Sequence, residues 1–278
     1  MKKIALWGLA ALCLGFTACD DFETPNPPAQ SNPADAVLSA KNLEYTQTQD
    51  AFNLEELNKE GKLVYTTNVL LTEALPAGYT LSNVMQVAAS ETYANAVEVA
   101  TTTELIEGME YAVGVSPEAM QNAINTVASK APGIHTVYVR YAAYAVNGDS
   151  QVRFGDPNFY YGNGKIAFTT ITPDYFISEA YYLIGTASDN QIAKAVKFNH
   201  SDANVYDDTV FTLKVDISSD DANDGWKWMI ISEEAFKAGN TNAAGTLFGM
   251  EVEDDDLTEG TLVANSASVT PYYGVVYE

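Results

Sequence analysis

Trp226 and Trp228 stand two residues apart with Lys227 between them, a spacing that puts both indoles on one face of a strand and the ammonium on the other. Flat apolar rings beside a few hydrogen-bonding groups suit a pyranose, which offers an apolar face ringed by hydroxyls. Tyr272 and Tyr273, directly after Pro271, and Tyr206, in a polar loop before Asp207-Asp208, are further candidates for the same work. A competing reading places both indoles in the core, beside Met229-Ile230-Ile231, and leaves outward Lys227 as the better ligand contact.

Other chemistries are poorly served. There is no Gly-rich phosphate loop, no Gly-x-Ser-x-Gly elbow and no His-Glu-x-x-His. The chain has 2 His and 2 Cys, with His135 at the start of a strand and His200 in a polar loop, so His-rich metal sites and a disulfide framework are excluded. Residues 220–224 with Gly225 partly imitate a calcium loop, but Ala222 fills a ligand position and Ile231 stands where a bidentate Glu is required. The acidic run 251–256 lacks any such spacing. An acidic chain always supplies carboxylate pairs, yet short-stranded sandwiches offer no deep cleft to set them across a glycosidic bond. No catalytic residue, metal or cofactor is therefore expected, and the chain reads as a binding protein rather than an enzyme. With 14 Lys plus Arg against 37 Asp plus Glu in 278 residues, the formal charge of −23 also repels phosphate backbones and excludes nucleic acid as a partner.

One thiol has a chemistry of its own. Lys2 and Lys3 precede an apolar run over 4–16, the n-region and h-region of a secretory signal, which is too short to span a bilayer. The run closes on Phe16-Thr17-Ala18-Cys19, which resembles a bacterial lipobox. Residues 1–18 are then a cleaved signal peptide, and Cys19 carries lipid at the mature N-terminus. Asp20, Asp21 and Glu23 resemble the acidic export signal of Bacteroidota-type surface lipoproteins. The Pro-rich remainder of 19–36 has no apolar face and reads as a tether. The resulting expectation is a protein held to the outer membrane by its lipid alone and displayed at the cell surface.

The elements that must position these residues are strands. Residues 37–172 read as an immunoglobulin-like domain with short, turn-bounded apolar strands at 63–71, 79–87, 109–115, 135–146, 151–154 and 165–171. One crossover helix is expected at about 117–130, opened by Ser116-Pro117-Glu118, striped by Met120, Ala123, Ile124, Val127 and Ala128, and stopped by Pro132-Gly133. Residues 137–144 resemble the penultimate strand of a fibronectin-type-III module. After a hinge at Thr172-Pro173-Asp174, a second sandwich is expected over 175–278, its best strand at 209–217 with Phe211, Leu213, Val215 and Ile217 on one face. The fold class is thus all-β, with two sandwiches in tandem.

These parts, in this order, resemble the SusE/SusF-type lipoproteins of starch-utilisation systems. The sharp motifs are the segment 19–23, Tyr181-Tyr182-Leu183-Ile184-Gly185, and the aromatic-Lys-aromatic Trp226-Lys227-Trp228. The resemblance implies β-sandwich modules that hold oligosaccharides beside an outer-membrane importer without cleaving them. Two features depart from it. The loop 186–192 carries no aromatic where family modules often have a Trp, and one such module is present where relatives tend to have more. The strand-like run ending at Tyr277-Glu278 suggests a minimal or C-terminally truncated member. The alternative function is structural, a surface stalk or adhesion subunit whose Tyr-rich faces pack against protein partners.

Overall fold

The computed structural model describes residues 39–218, 225–253 and 260–276. Cys19, Asp20, Asp21 and Glu23 lie outside the described residues, as does the loop 220–224. Packing divides the described residues into two units, one made of 39–123 with 136–169, the other of 124–135 with those from 170 onward.

The chain runs β1 (Leu43–Gln47), β2 (Ala51–Asn53), α1 (Leu54–Lys59), β3 (Val64–Leu71), β4 (Thr80–Ala88), β5 (Val97–Ala100), β6 (Thr102–Glu107), β7 (Glu110–Val115), α2 (Pro117–Val127), β8 (Ile134–Asn147), β9 (Ser150–Arg153) and β10 (Tyr161–Thr169). Four strands form one sheet in the order β1-β3-β7-β6, and six form another in the order β2-β10-β8-β4-β5 with β9 on β8. The all-β architecture expected from the strand pattern is the one that folds. Period-two alternation turns Val137, Val139, Tyr141, Ala143 and Ala145 of β8 inward, all of them buried. β3 likewise buries Val64, Thr66, Val69 and Leu71, and the Tyr141 hydroxyl donates to Thr66 Oγ1 across the sandwich at 2.8 Å. Tyr45 of β1 stacks on Tyr161 of β10 at 4.5 Å between centroids and donates its hydroxyl to Asn83 Oδ1. On the outer face, the Arg140 guanidinium lies 4.1 Å from the Tyr93 ring and 3.8 Å from the Tyr160 ring.

The second unit carries β11 (Tyr181–Gly185), β12 (Val196–Lys197), β13 (Trp226–Ser232), α3 (Glu233–Ala238), β14 (Leu247–Met250), β15 (Leu262–Ala264) and β16 (Gly274–Val276). They form one sheet in the order β12-β11-β13-β14-β15, with β16 also paired to β13. One face carries the core of Tyr182, Ile184, Met229 and Ile231, closed by Ala180, Ala235 and Phe236. Phe236 of α3 lies flat on Tyr182, at 4.1 Å and 5°.

Two expectations are corrected. The segment 209–217 is not a strand: its one ladder contact is the isolated bridge Asn199↔Thr212. Its side chains still alternate between half-buried and exposed from Phe211 to Ser218, because amphipathic alternation fixes facing, while a strand also needs a neighbouring edge to pair with. The helix α2 ends at Val127 rather than near 130. The Lys130 N–H donates to Asp207 Oδ1 at 2.7 Å and so leaves the helical ladder before Pro132 is reached.

Candidate functional site

β13 lies mid-sheet and carries the Trp-Lys-Trp run. Its register against β11 pairs Tyr182 with Ile231, Ile184 with Met229 and Gly185 with Trp228. Against β16 it pairs Trp226 with Val276, Lys227 with Val275 and Trp228 with Gly274. Lys227 therefore shares the face of Met229 and Ile231, but it stands beyond the end of their core and is exposed. The indoles take the opposite face. Trp226 is 6% exposed and buried on that face, whereas Trp228 is half-buried.

Two glycines make this arrangement fit. A Cβ on Gly274 would run into the Trp228 indole, so the bare backbone of β16 is the surface on which that ring lies. Gly185 has φ +131°, and a Cβ there would meet the carbonyl of Lys227. The Leu-Ile-Gly ending of β11 thus needs glycine for conformation and for space.

The loop after Gly185 folds back on the same strand end. The Gly185 N–H donates to buried Ser188 Oγ, which in turn donates to the Gly185 carbonyl, both at 3.1 Å. The Lys227 N–H donates to Thr186 Oγ1 at 2.9 Å. Asp189 and Asn190 follow in left-handed conformation at φ 52° and 56°. Lys194 reaches Asp189 at 2.6 Å, and this hydrogen bond holds the Asp189 carboxyl below the usual carboxylate range.

Tyr272 and Tyr273 enter from the far side of the sheet. Tyr272 bridges Met250 through a reciprocal backbone pair of 2.8 and 2.9 Å, a passage possible because Gly249 has no Cβ to meet the Tyr272 carbonyl. Period two from Val275 puts Tyr273 on the face of Lys227, and from Gly274 puts Tyr272 on the face of Trp228. Both rings stand well out, at 42% for Tyr272 and 39% for Tyr273. The Tyr273 hydroxyl donates to Asn190 Oδ1 at 3.4 Å. One end of the sheet therefore gathers a cation, an aromatic ring and a side-chain amide at Lys227, Tyr273 and Asn190, with Thr186 alongside. That combination offers a ring face and both donors and acceptors to a sugar. Asn190 is not legible in the sequence as a site residue, because its partner Tyr273 lies 83 residues away and only the fold brings the two together.

Tyr206 is placed elsewhere. Its hydroxyl accepts from the Ile177 N–H at 3.4 Å, and its ring neighbours Tyr175 at 6.1 Å between centroids. Tyr175 and Phe176 were also missed, their position beside Thr172-Pro173-Asp174 having suggested only a hinge. Among the described residues, no group of three or more His, Cys, Asp or Glu is placed to hold a metal ion.

Residues 176–275 match the family described as "SusF, first starch specific CBM". Residues 176–275 are SusF-like. The likeness to the SusE/SusF type carried by 181–185 and 226–228 stands on that match, and the SusF-like module contains the whole Lys227–Tyr273–Asn190 rim. Among solved structures, SusF from Bacteroides thetaiotaomicron is similar at 13% identity and a TM-score of 0.38, with 77% of this chain and 44% of that chain covered. The chain thus spans less than half the length of that protein. No curated protein matches the chain.

Proposed function

We propose that the SusF-like module holds a neutral, starch-like glycan without cleaving it. The observation that carries the reading is the family match over 176–275, whose sheet end presents Tyr273, Lys227 and Asn190 outward. A ring face to stack on, with an amide and an ammonium for hydroxyls, recognises sugar and supplies no nucleophile or acid–base pair for cleavage. Trp228 and Tyr272 extend the aromatic surface on the other face of the same strands.

The proposal extends to location and partners. With Cys19 acylated and Asp20, Asp21 and Glu23 directing export, the module would stand outside the outer membrane and feed an importer complex. Weak contacts suffice there, because tethering raises the local oligosaccharide concentration. Affinity electrophoresis of the full chain against a panel of soluble polysaccharides tests the binding claim. Retardation by an α-glucan that weakens in Lys227→Ala and Tyr273→Ala is expected, and an absence of retardation by every polysaccharide refutes the reading. Mass spectrometry of native material tests the anchor through the mass added at Cys19.

A second reading is favoured by one feature of the first unit. The edge strand β6 exposes Leu105 at 58% and Ile106 at 54%, an apolar edge of the kind used for protein association. A structural or adhesion role predicts co-purification of a protein partner that is lost in a Leu105→Lys/Ile106→Lys variant, with no polysaccharide retardation.

A further inference from the structure

The second unit has another concentration of exposed aromatic surface, far along the sequence from the Lys227 rim. Tyr175 is 58% exposed and Phe176 is 69% exposed. They border a hollow of about 460 Å³ that also presents Asp174, Glu179, Asn204 and Tyr206. That volume is within the range of sites for small organic ligands. Solvent-exposed rings of this size cost free energy in water unless something covers them, and two adjacent ones make a patch rather than scattered apolar surface.

The geometry of the rings narrows what that occupant is. The Tyr175 and Tyr206 planes meet at 34° with centroids 6.1 Å apart, so they form an open angle rather than a stack. A sugar chain laid over the pair would meet two planes turned 34° from one another, which suits a chain that curves. An α-1,4-linked glucan coils in this way, whereas a β-1,4-linked glucan runs straight and asks for coplanar rings. Asp174 and Glu179 offer acceptors for hydroxyls and repel an anionic ligand, in keeping with the −23 charge of the whole chain.

Tyr206 is held before any ligand arrives. Its N–H donates to Asn204 Oδ1 at 2.9 Å, and the N–H groups of Asp207 and Asp208 both donate to the Asn204 carbonyl at 2.9 Å. The Asp207 carboxylate accepts from Ser129 Oγ at 2.6 Å and from the Lys130 N–H at 2.7 Å, which ties the loop to the 124–135 segment of the same unit. A ring fixed in place loses little conformational entropy on binding.

We propose that this hollow is a second sugar-binding site, which takes a bent, neutral α-1,4-glucan across the Tyr175 and Tyr206 rings in addition to the Lys227 rim. The inference rests on the glycan-binding reading of the SusF-like module. The test is affinity electrophoresis of the full chain in amylopectin and, separately, in hydroxyethylcellulose, with Tyr175→Ala, Tyr206→Ala and Tyr206→Phe compared with wild type. Tyr175→Ala truncates an exposed side chain and keeps the fold measurable, and circular dichroism checks each variant. Loss of one stacking ring is expected to weaken the apparent affinity for amylopectin about three- to tenfold. Tyr206→Phe retains most of the affinity, because it keeps the ring. Wild-type retardation that persists unchanged in folded Tyr175→Ala overturns the second site and leaves the Lys227 rim standing. An equal loss in hydroxyethylcellulose overturns the preference for a bent chain. No retardation of wild type in either gel overturns the α-glucan site, and extending that silence to every polysaccharide overturns the broader reading as well.

Discussion

Trp226 and Lys227 are neighbours in sequence and opposites in environment. The indole is 6% exposed and the ammonium stands free of the core. Truncating a large buried aromatic removes its burial energy and leaves a void, so Trp226→Ala should cost about 3–5 kcal/mol in urea unfolding of the second unit. Lys227→Ala should change stability by less than about 0.5 kcal/mol while weakening glycan retention. A second contrast lies in the first unit. The Tyr161 hydroxyl is buried with no hydrogen-bond partner among the described residues. Tyr161→Phe should therefore hold stability or raise it by about 1 kcal/mol, since only an unpaired polar group is removed. The Tyr141 hydroxyl bonds to fully buried Thr66, so Tyr141→Phe should cost about 1–3 kcal/mol in the same denaturation measurement.

At the scale of elements, the strand end at Gly185 sets the candidate rim. It turns the chain at φ +131°, brings Ser188 back onto its own backbone, and places Thr186 under Lys227. Gly185→Ala combines a strained φ with a Cβ against the Lys227 carbonyl, and should destabilise the second unit by more than about 3 kcal/mol. Gly148→Ala, at φ +56° in the β8–β9 turn with open space around it, should cost only about 1 kcal/mol. Chemical unfolding of the two variants separates steric overlap from conformational strain. The segment 209–217 teaches the complementary lesson. Its alternation of Phe211, Leu213, Val215 and Ile217 was legible and its side chains do alternate in burial, yet pairing depends on an edge that the sequence does not display.

For the whole molecule, burial of phenols and the acidic balance set the response to solution conditions. Burial raises Tyr93 and Tyr161 to about 12 and pushes Tyr45 and Tyr141 up as well. These groups hold their protons more tightly folded than unfolded. Their contribution to stability is intact below the ordinary phenol value of 10.0 and is lost as pH climbs from there through about 12. Melting temperatures between pH 8 and pH 12 should fall steeply only above about pH 10, with phenolate absorbance rising in step with unfolding. A neutral sugar releases no counterions, so retention on polysaccharide should change little between about 0.05 and 0.5 M salt, despite the −23 charge. The sequence by itself determined the all-β class, the two-sided strand at 226–231, the start of helix α2 and the likeness to the SusE/SusF type, because alternation, capping residues and short motifs are local properties of the chain. Tertiary structure alone decided that Trp226 is buried and Trp228 half-covered over Gly274, that Tyr273 meets Asn190, and that Tyr206 stands with Tyr175. Depth of burial and the meeting of distant residues depend on which strands become neighbours, a choice made by long-range packing that no local pattern encodes.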